Sequence, residues 1–151
     1  MIEEESMGDI AVKIKQMHGN AIIPKYQTSG SAGMDLHAVE DMEVWVGEAK
    51  VVPTGIGISV PPGYEAQIRP RSGLAANRQV TVLNSPGTID SDYTGELKVI
   101  LINHGDEIFK IKRGDRIAQI VFVPVSRAHF EVVGELENTS RGDGGLGSTG
   151  A

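Results

Sequence analysis

The chain contains no cysteine, a single tryptophan and few aromatic residues of any kind, 5% in all. Without cysteine there is no disulfide framework, no thiolate metal site and no thiol nucleophile. With so few rings, the 40% hydrophobic fraction must build its core from Val, Ile, Leu and Ala. No apolar run approaches the ~20 residues that span a bilayer as a helix, so no membrane partner is expected. The acidic start "MIEEESMGDI" lacks the basic and then apolar pattern of a leader, and a cytoplasmic location is expected. Positive charge is scarce as well: the formal net charge is −6. That balance argues against general nucleic-acid binding, which needs a basic face. It leaves room for a small anionic ligand, because a few arginines in one cleft dominate locally and a divalent cation can screen the ligand.

What the chain does have is glycine, proline and period-two alternation. Nineteen glycines and seven prolines in 151 residues favour tight turns between short strands. Ile56, Ile58 and Val60 alternate with Gly57 and Ser59 until "PPG" stops the run. Tyr64, Ala66 and Ile68 alternate with Glu65, Gln67 and Arg69, giving one apolar and one polar face. Leu97, Val99 and Leu101 form another run, and Phe109 and Ile111 alternate with Lys110 and Lys112. "RIAQIVFVPV" (Arg116 to Val125) is almost continuously apolar and predicts a buried central strand. Only "SGLAANRQ" (Ser72 to Gln79) reads as helical, for about two turns. The expected fold is an all-β, jelly-roll-like sandwich or barrel with one short helix. From Glu137 the composition turns to glycine and polar residues. The division expected is a β domain over 1–136 and a flexible glycine-rich C-terminal arm over 137–151. There is no internal repeat.

Several short stretches carry potential chemistry. Gly142, Gly144 and Gly147 spell G-x-G-x-x-G, but no strand precedes them at the right distance and too few residues follow for a helix, so a dinucleotide site is excluded. Arg141, free backbone N–H groups and the hydroxyls of Ser148 and Thr149 suit a phosphate-wrapping arm as well as a frayed tail. Arg-Gly-Asp occurs at Arg113–Asp115 and Arg141–Asp143. Adhesion would call for a leader and disulfides, which the sequence lacks. "RPRSGLA" (Arg69 to Ala75) ends a strand with arginines and opens the helix at Ser72. It reads as a phosphate-binding turn or as a solvated Ser72 N-cap. "SAGMDLHA" places Asp35 among apolar neighbours, on the polar face of a strand, with His37 solvated or packed. The four histidines show no metal-ligand spacing. "LNSPGTIDSDYTGEL" (Leu83 to Leu97) sets Asp90, Asp92 and Tyr93 on what reads as a hairpin tip, more polar chemistry than a connection needs.

Taken in order, "AGMDLHA", "RPRSGLA", "LNSPGTIDSDYTGEL", "RGDRIAQIVF" and "RGDGGLGSTG" resemble the five motifs of the trimeric dUTPase family, from about Ile10 to the C-terminus. The resemblance implies Mg²⁺-dependent hydrolysis of dUTP to dUMP and pyrophosphate, which supplies dUMP for thymidylate synthesis and keeps uracil out of DNA. It also implies a homotrimer of jelly-roll-like subunits with active sites shared between them. Under it, Asn84 and the backbone around Gly87, Thr88, Ile89 and Lys98 would read the uracil edge. Tyr93 would pack under the sugar and exclude a 2′-hydroxyl. Asp90 would bond the 3′-hydroxyl and activate the water that attacks the α-phosphorus. Asp92 and Glu96 would be structural. Arg71, Ser72 and Gly73 would hold the phosphates. Asp35 and Gln119 would hold waters around a Mg²⁺ that the phosphates coordinate. Arg141, Gly147, Ser148 and Thr149 would close over the γ-phosphate, with Leu146 over the uracil where the family usually has an aromatic ring. A deoxycytidine triphosphate deaminase shares the fold but needs a glutamate base in the nucleobase pocket. A non-catalytic nucleotide-sensing trimer would be expected to lose Asp90, Asp35 or the tail arginine. Both remain the alternatives.

Overall fold

The computed structural model describes residues 8–150. The acidic first seven residues, part of the stretch read for a leader, lie outside the described residues, as does Ala151. Among the described residues, ten strands and one helix follow one another. They are β1 (Lys13–Gln16), β2 (Met34–His37), β3 (Met42–Val44), β4 (Ala49–Ser59), β5 (Tyr64–Arg69), α1 (Ser72–Arg78), β6 (Val80–Val82), β7 (Gly87–Ile89), β8 (Glu96–Asn103), β9 (Phe109–Ile111) and β10 (Arg116–Pro124). They form two four-stranded sheets, in the orders β1-β4-β8-β6 and β2-β10-β5-β7, with a β3-β9 ribbon. Every pairing is antiparallel. The sheets stay open, so the architecture is a jelly-roll-like sandwich rather than a barrel.

Alternation sets the layers. In β8, Leu97, Val99, Leu101 and Asn103 are buried while Lys98 faces solvent. The inward set meets Val52, Ile56 and Ile58 of β4 and Ala66, Ile68, Ile117, Ala118 and Ile120 of the second sheet in one aliphatic core. β10 is the second strand of its sheet and supplies three of those residues, as its apolar run predicts. The buried polar groups are satisfied. Thr54 Oγ1 donates to Leu97 O at 2.6 Å, and Asn103 Nδ2 donates to Val44 O and Glu107 O at 3.0 and 2.8 Å. β4 and β8 slip register between Pro53 and Gly57. There Gly55 takes φ +72°, and a Cβ on it would meet His18 and Val39 at 3.0 Å, so the bulge needs glycine.

Two local expectations need correction. Ser72 is the first residue of α1, not its cap; Arg71 holds the cap position and makes no side-chain capping bond. The Leu83–Leu97 stretch is not a hairpin either. β6 and β8 pair with each other in the first sheet, whereas β7 crosses to the edge of the second and pairs with β5. The motif therefore bridges the sandwich, which leaves both its turns free of ladder hydrogen bonds to each other.

Among the described residues, no strand or helix follows Pro124. Phe130, Val132 and Leu136 beyond it are 94, 97 and 87% exposed, so among the described residues these side chains are packed against almost nothing. Among the described residues, no helix is long and apolar enough to cross a membrane.

Candidate active site

The structure gathers the expected site residues into two clusters and leaves a third group apart. The first cluster is a cleft of about 190 Å³ lined by Thr88, Ile89, Asp90, Tyr93, Glu96 and Lys98. Asp90 stands just past β7, where the strand ends in a tight turn closed by Tyr93 N–H donating to Asp90 O at 3.1 Å. Its carboxylate is exposed to the cleft's solvent. Tyr93 folds back over the following turn, and its hydroxyl donates to Glu96 O at 2.8 Å. Gly95 makes this seat possible: a Cβ there would lie 2.8 Å from the tyrosine hydroxyl oxygen. Glu96 is structural, accepting the Gly55 N–H at 3.0 Å and so tying β8 to the β4 bulge. Asp92 is exposed on the turn and, among the described residues, has no side-chain hydrogen bond. Asn84 lies beside the start of β7, with its amide nitrogen 3.2 Å from where a Cβ on Gly87 would stand. The peptide bond between Ser85 and Pro86 is cis.

The second cluster spans adjacent strands of the second sheet. Asp35, Gln119 and Arg69 sit side by side in register across β2, β10 and β5, and α1 starts where β5 ends. The Asp35 carboxylate is held from both sides: Arg71 Nε donates to Oδ1 at 3.1 Å, and Arg116 Nη1 lies 3.6 Å from Oδ2. Arg71 Nη1 also donates to Arg116 O at 3.4 Å. Gln119 Nε2 donates to Pro70 O at 2.9 Å, which leaves its carbonyl oxygen as an acceptor. Ser72 and Gly73 sit in the first turn of α1, where backbone N–H groups have no helical partner. Arg116 is the residue that sequence reasoning missed. It stands inside the quoted stretch "RGDRIAQIVF", but only its contact with an aspartate eighty-one positions earlier reveals a role.

The tail residues join neither cluster. Arg141 Nε donates to Gly144 O at 2.7 Å, Gly142 N–H to Thr139 Oγ1 at 3.0 Å, and Ser148 N–H to Gly145 O at 3.0 Å. Leu146 is fully exposed, with φ +45°. Gly147 and Thr149 are likewise exposed. The first Arg-Gly-Asp is a structural turn: Asp115 Oδ2 accepts the Lys112 N–H at 2.8 Å, and Gly114 has φ +90°.

A resident metal would need a cage of acidic or histidine side chains. Among the described residues, no three His, Asp or Glu side chains stand close enough to hold an ion. One carboxylate and one free amide oxygen fit a hydrated cation that arrives on another ligand.

A family model for dUTPase matches residues 19–150. The chain belongs to the dUTPase family. It is 54% identical to the deoxyuridine 5′-triphosphate nucleotidohydrolase of Syntrophotalea carbinolica, over 95% of this chain and 99% of that one. It is 55% identical to the enzyme of the same name from Helicobacter pylori strain P12, over 92 and 96% of the two chains. Among solved structures it resembles the Staphylococcus bacteriophage 80alpha dUTPase with dUpNHpp, at TM-score 0.87 and 25% identity over 93% of this chain and 99% of that one. A mutant dUTPase from phage phi11 of S. aureus, described with the coordination of a structural Mg(II) ion, shares the fold. Its TM-score is 0.79 at 23% identity, over 85% of this chain and all of the other. Within this dUTPase fold, the second cluster falls on three of the five motifs that carried the resemblance, and the cleft falls on a fourth.

Proposed function

We propose that the protein hydrolyses dUTP to dUMP and pyrophosphate with Mg²⁺, as a homotrimer whose active sites are shared between subunits. The observation that carries this reading is the cleft beside β7, which gathers Asp90, Tyr93, Thr88, Ile89 and Lys98 in one family-specific stretch. A uracil seated there meets backbone groups at Gly87, Thr88, Ile89 and Lys98 and the Asn84 amide. Cytosine's exocyclic amine would face donors and leave polar groups unpaired, which selects strongly for uracil. Tyr93 forms the floor under the deoxyribose. Asp90 takes a proton from water as its oxygen attacks the α-phosphorus; the bond to the bridging oxygen breaks and pyrophosphate leaves with that electron pair.

Phosphoryl transfer needs mostly positioning and charge neutralisation. Arg71, the first-turn N–H groups of Ser72 and Gly73, and Gln119 supply these at the phosphates. When bound, Mg²⁺ adds positive charge on the phosphate oxygens. Asp35 and Gln119 would hold its waters. Arg141, Ser148 and Thr149 close the arm over the γ-phosphate, with Leu146 against the base.

Three features support the shared site. The Asp90 cleft and the Asp35–Arg71–Arg116 cluster have no lining residue or hydrogen bond in common, so each subunit carries two half-sites. The outer face of the first sheet carries an apolar patch, with Val51 half exposed opposite Ile100 and Leu83 beside it, as an interface between copies requires. The exposed Phe130, Val132 and Leu136 carry the chain away from its own core towards such a neighbour. Incubation with dUTP or dCTP plus Mg²⁺, followed by chromatography, tests the function. Release of dUMP and pyrophosphate from dUTP alone is expected. Conversion of dCTP to a uracil nucleotide indicates the deaminase, and binding without turnover the sensing trimer.

A further inference from the structure

The Asp35 carboxylate sits between the two guanidinium groups best placed to grip a phosphate. Its side chain is 17% exposed, against 26% for Arg71 and 51% for Arg116. A half-buried carboxylate sharing charge-assisted contacts with two arginines holds them firmly. From this geometry we propose that Asp35 is a built-in occupant of the phosphate site. In the free protein it takes the place of a phosphate oxygen pair, and a polyphosphate without a cation must displace it to reach Arg71 and Arg116. A polyphosphate that carries a divalent cation offers the released carboxylate a new partner through the cation's waters, so the exchange no longer leaves Asp35 unpaired. The cation requirement of the site is thereby written into one ion-pair cluster. This goes beyond the role of Asp35 as a holder of metal-bound water, and it rests on the placement of the phosphates at Arg71.

Arg116 has a second part in the same argument, holding the other two groups in place. Its carbonyl accepts from Arg71 and its guanidinium shares Asp35, so it fixes both partners from the start of β10. Leaving a charged group without its partner in a partly buried site is costly, which is why the carboxylate competes effectively with an incoming anion.

The test measures binding of inorganic pyrophosphate by calorimetry in EDTA, with deoxyuridine as a control ligand that touches neither arginine. Asp35→Asn keeps the shape and removes the competing charge, so metal-free pyrophosphate binds at least tenfold tighter than to the unmutated protein, while deoxyuridine binds equally to both. With Mg²⁺ present, the advantage of the variant shrinks or reverses. A change in overall charge alone would help the anion equally in any background. The same comparison is therefore repeated with Arg116→Gln in both proteins, where the gain from Asp35→Asn falls to a few-fold or less. Equal or weaker metal-free binding by Asp35→Asn overturns the proposal, as does an undiminished gain in the Arg116→Gln background. If pyrophosphate binds neither protein with or without Mg²⁺, the phosphate placement at Arg71 falls and takes this proposal with it; dUTP hydrolysis itself is read out separately by its products.

Discussion

Gly95→Ala tests the proposal that Tyr93 excludes a 2′-hydroxyl. A methyl group at this position would stand 2.8 Å from the Tyr93 hydroxyl oxygen and 2.9 Å from the ring carbon that bears it. Unstrained carbons do not approach that closely, so the ring tip must swing away and give up its hydrogen bond to Glu96 O. The lost bond is worth about 0.5–1.5 kcal/mol, a fall of a few degrees in melting temperature for a domain of this size. The functional effect is larger, because the displaced ring no longer blocks the space a 2′-hydroxyl would fill. Misfit of one small group in a pocket is worth about 1–3 kcal/mol, or roughly 10–200-fold. The ratio of kcat/KM for dUTP to that for UTP should fall by a factor in that range in Gly95→Ala. Tyr93→Phe separates ring from hydroxyl: it keeps the floor, loses only the bond, and should retain most of the discrimination. If Gly95→Ala melts normally and still rejects UTP, Tyr93 is not held by this turn and the floor lies elsewhere.

Asn103→Ala removes both bonds to Val44 O and Glu107 O and the acceptor for the Gly105 N–H. At about 1–3 kcal/mol for each buried group left unpaired, thermal or denaturant unfolding should show a large loss of stability. Deleting Ser140–Ala151 should leave the fold intact, since the hydrogen bonds of its described residues reach no further back than Thr139, yet slow dUTP hydrolysis severely in a steady-state assay. Leu146→Phe should tighten dUTP binding by tenfold or less, because a matched ring adds ~0.5–1.5 kcal/mol of stacking. Co-refolding inactive Asp90→Asn with inactive Arg141→Ala should restore partial activity; mixed trimers that stay inactive would rule out sites shared between chains.

Much of the sandwich is legible in the sequence wherever a strand buries one face. Tyr64–Arg69, Leu97–Leu101 and Arg116–Val125 follow period-two or continuously apolar patterns and become β5, the middle of β8 and β10. The first half of β4 is hidden by Pro53, which argues against a strand interior and is accommodated at a register shift. β1 is exposed along its whole length and carries no burial pattern to detect, and β6 and β7 have three residues each. The hairpin expected at Leu83–Leu97 fails because local pattern marks strands and turns but not which sheet each strand joins. At the site, the same limit separates Asp90 and Tyr93, which one contiguous stretch supplies, from Arg116. Its role depends on Asp35, brought beside it only by the pairing of β2 with β10.

The central claim is that a water held by Asp90 attacks the α-phosphorus of dUTP. Turnover in ¹⁸O-enriched water followed by mass spectrometry of both products reads the attacked atom directly. One ¹⁸O in dUMP and none in pyrophosphate is the expected result, with turnover reduced roughly 10²–10⁴-fold in Asp90→Asn while the nucleotide still binds. Label in the pyrophosphate, or near-normal turnover by Asp90→Asn, would contradict the account.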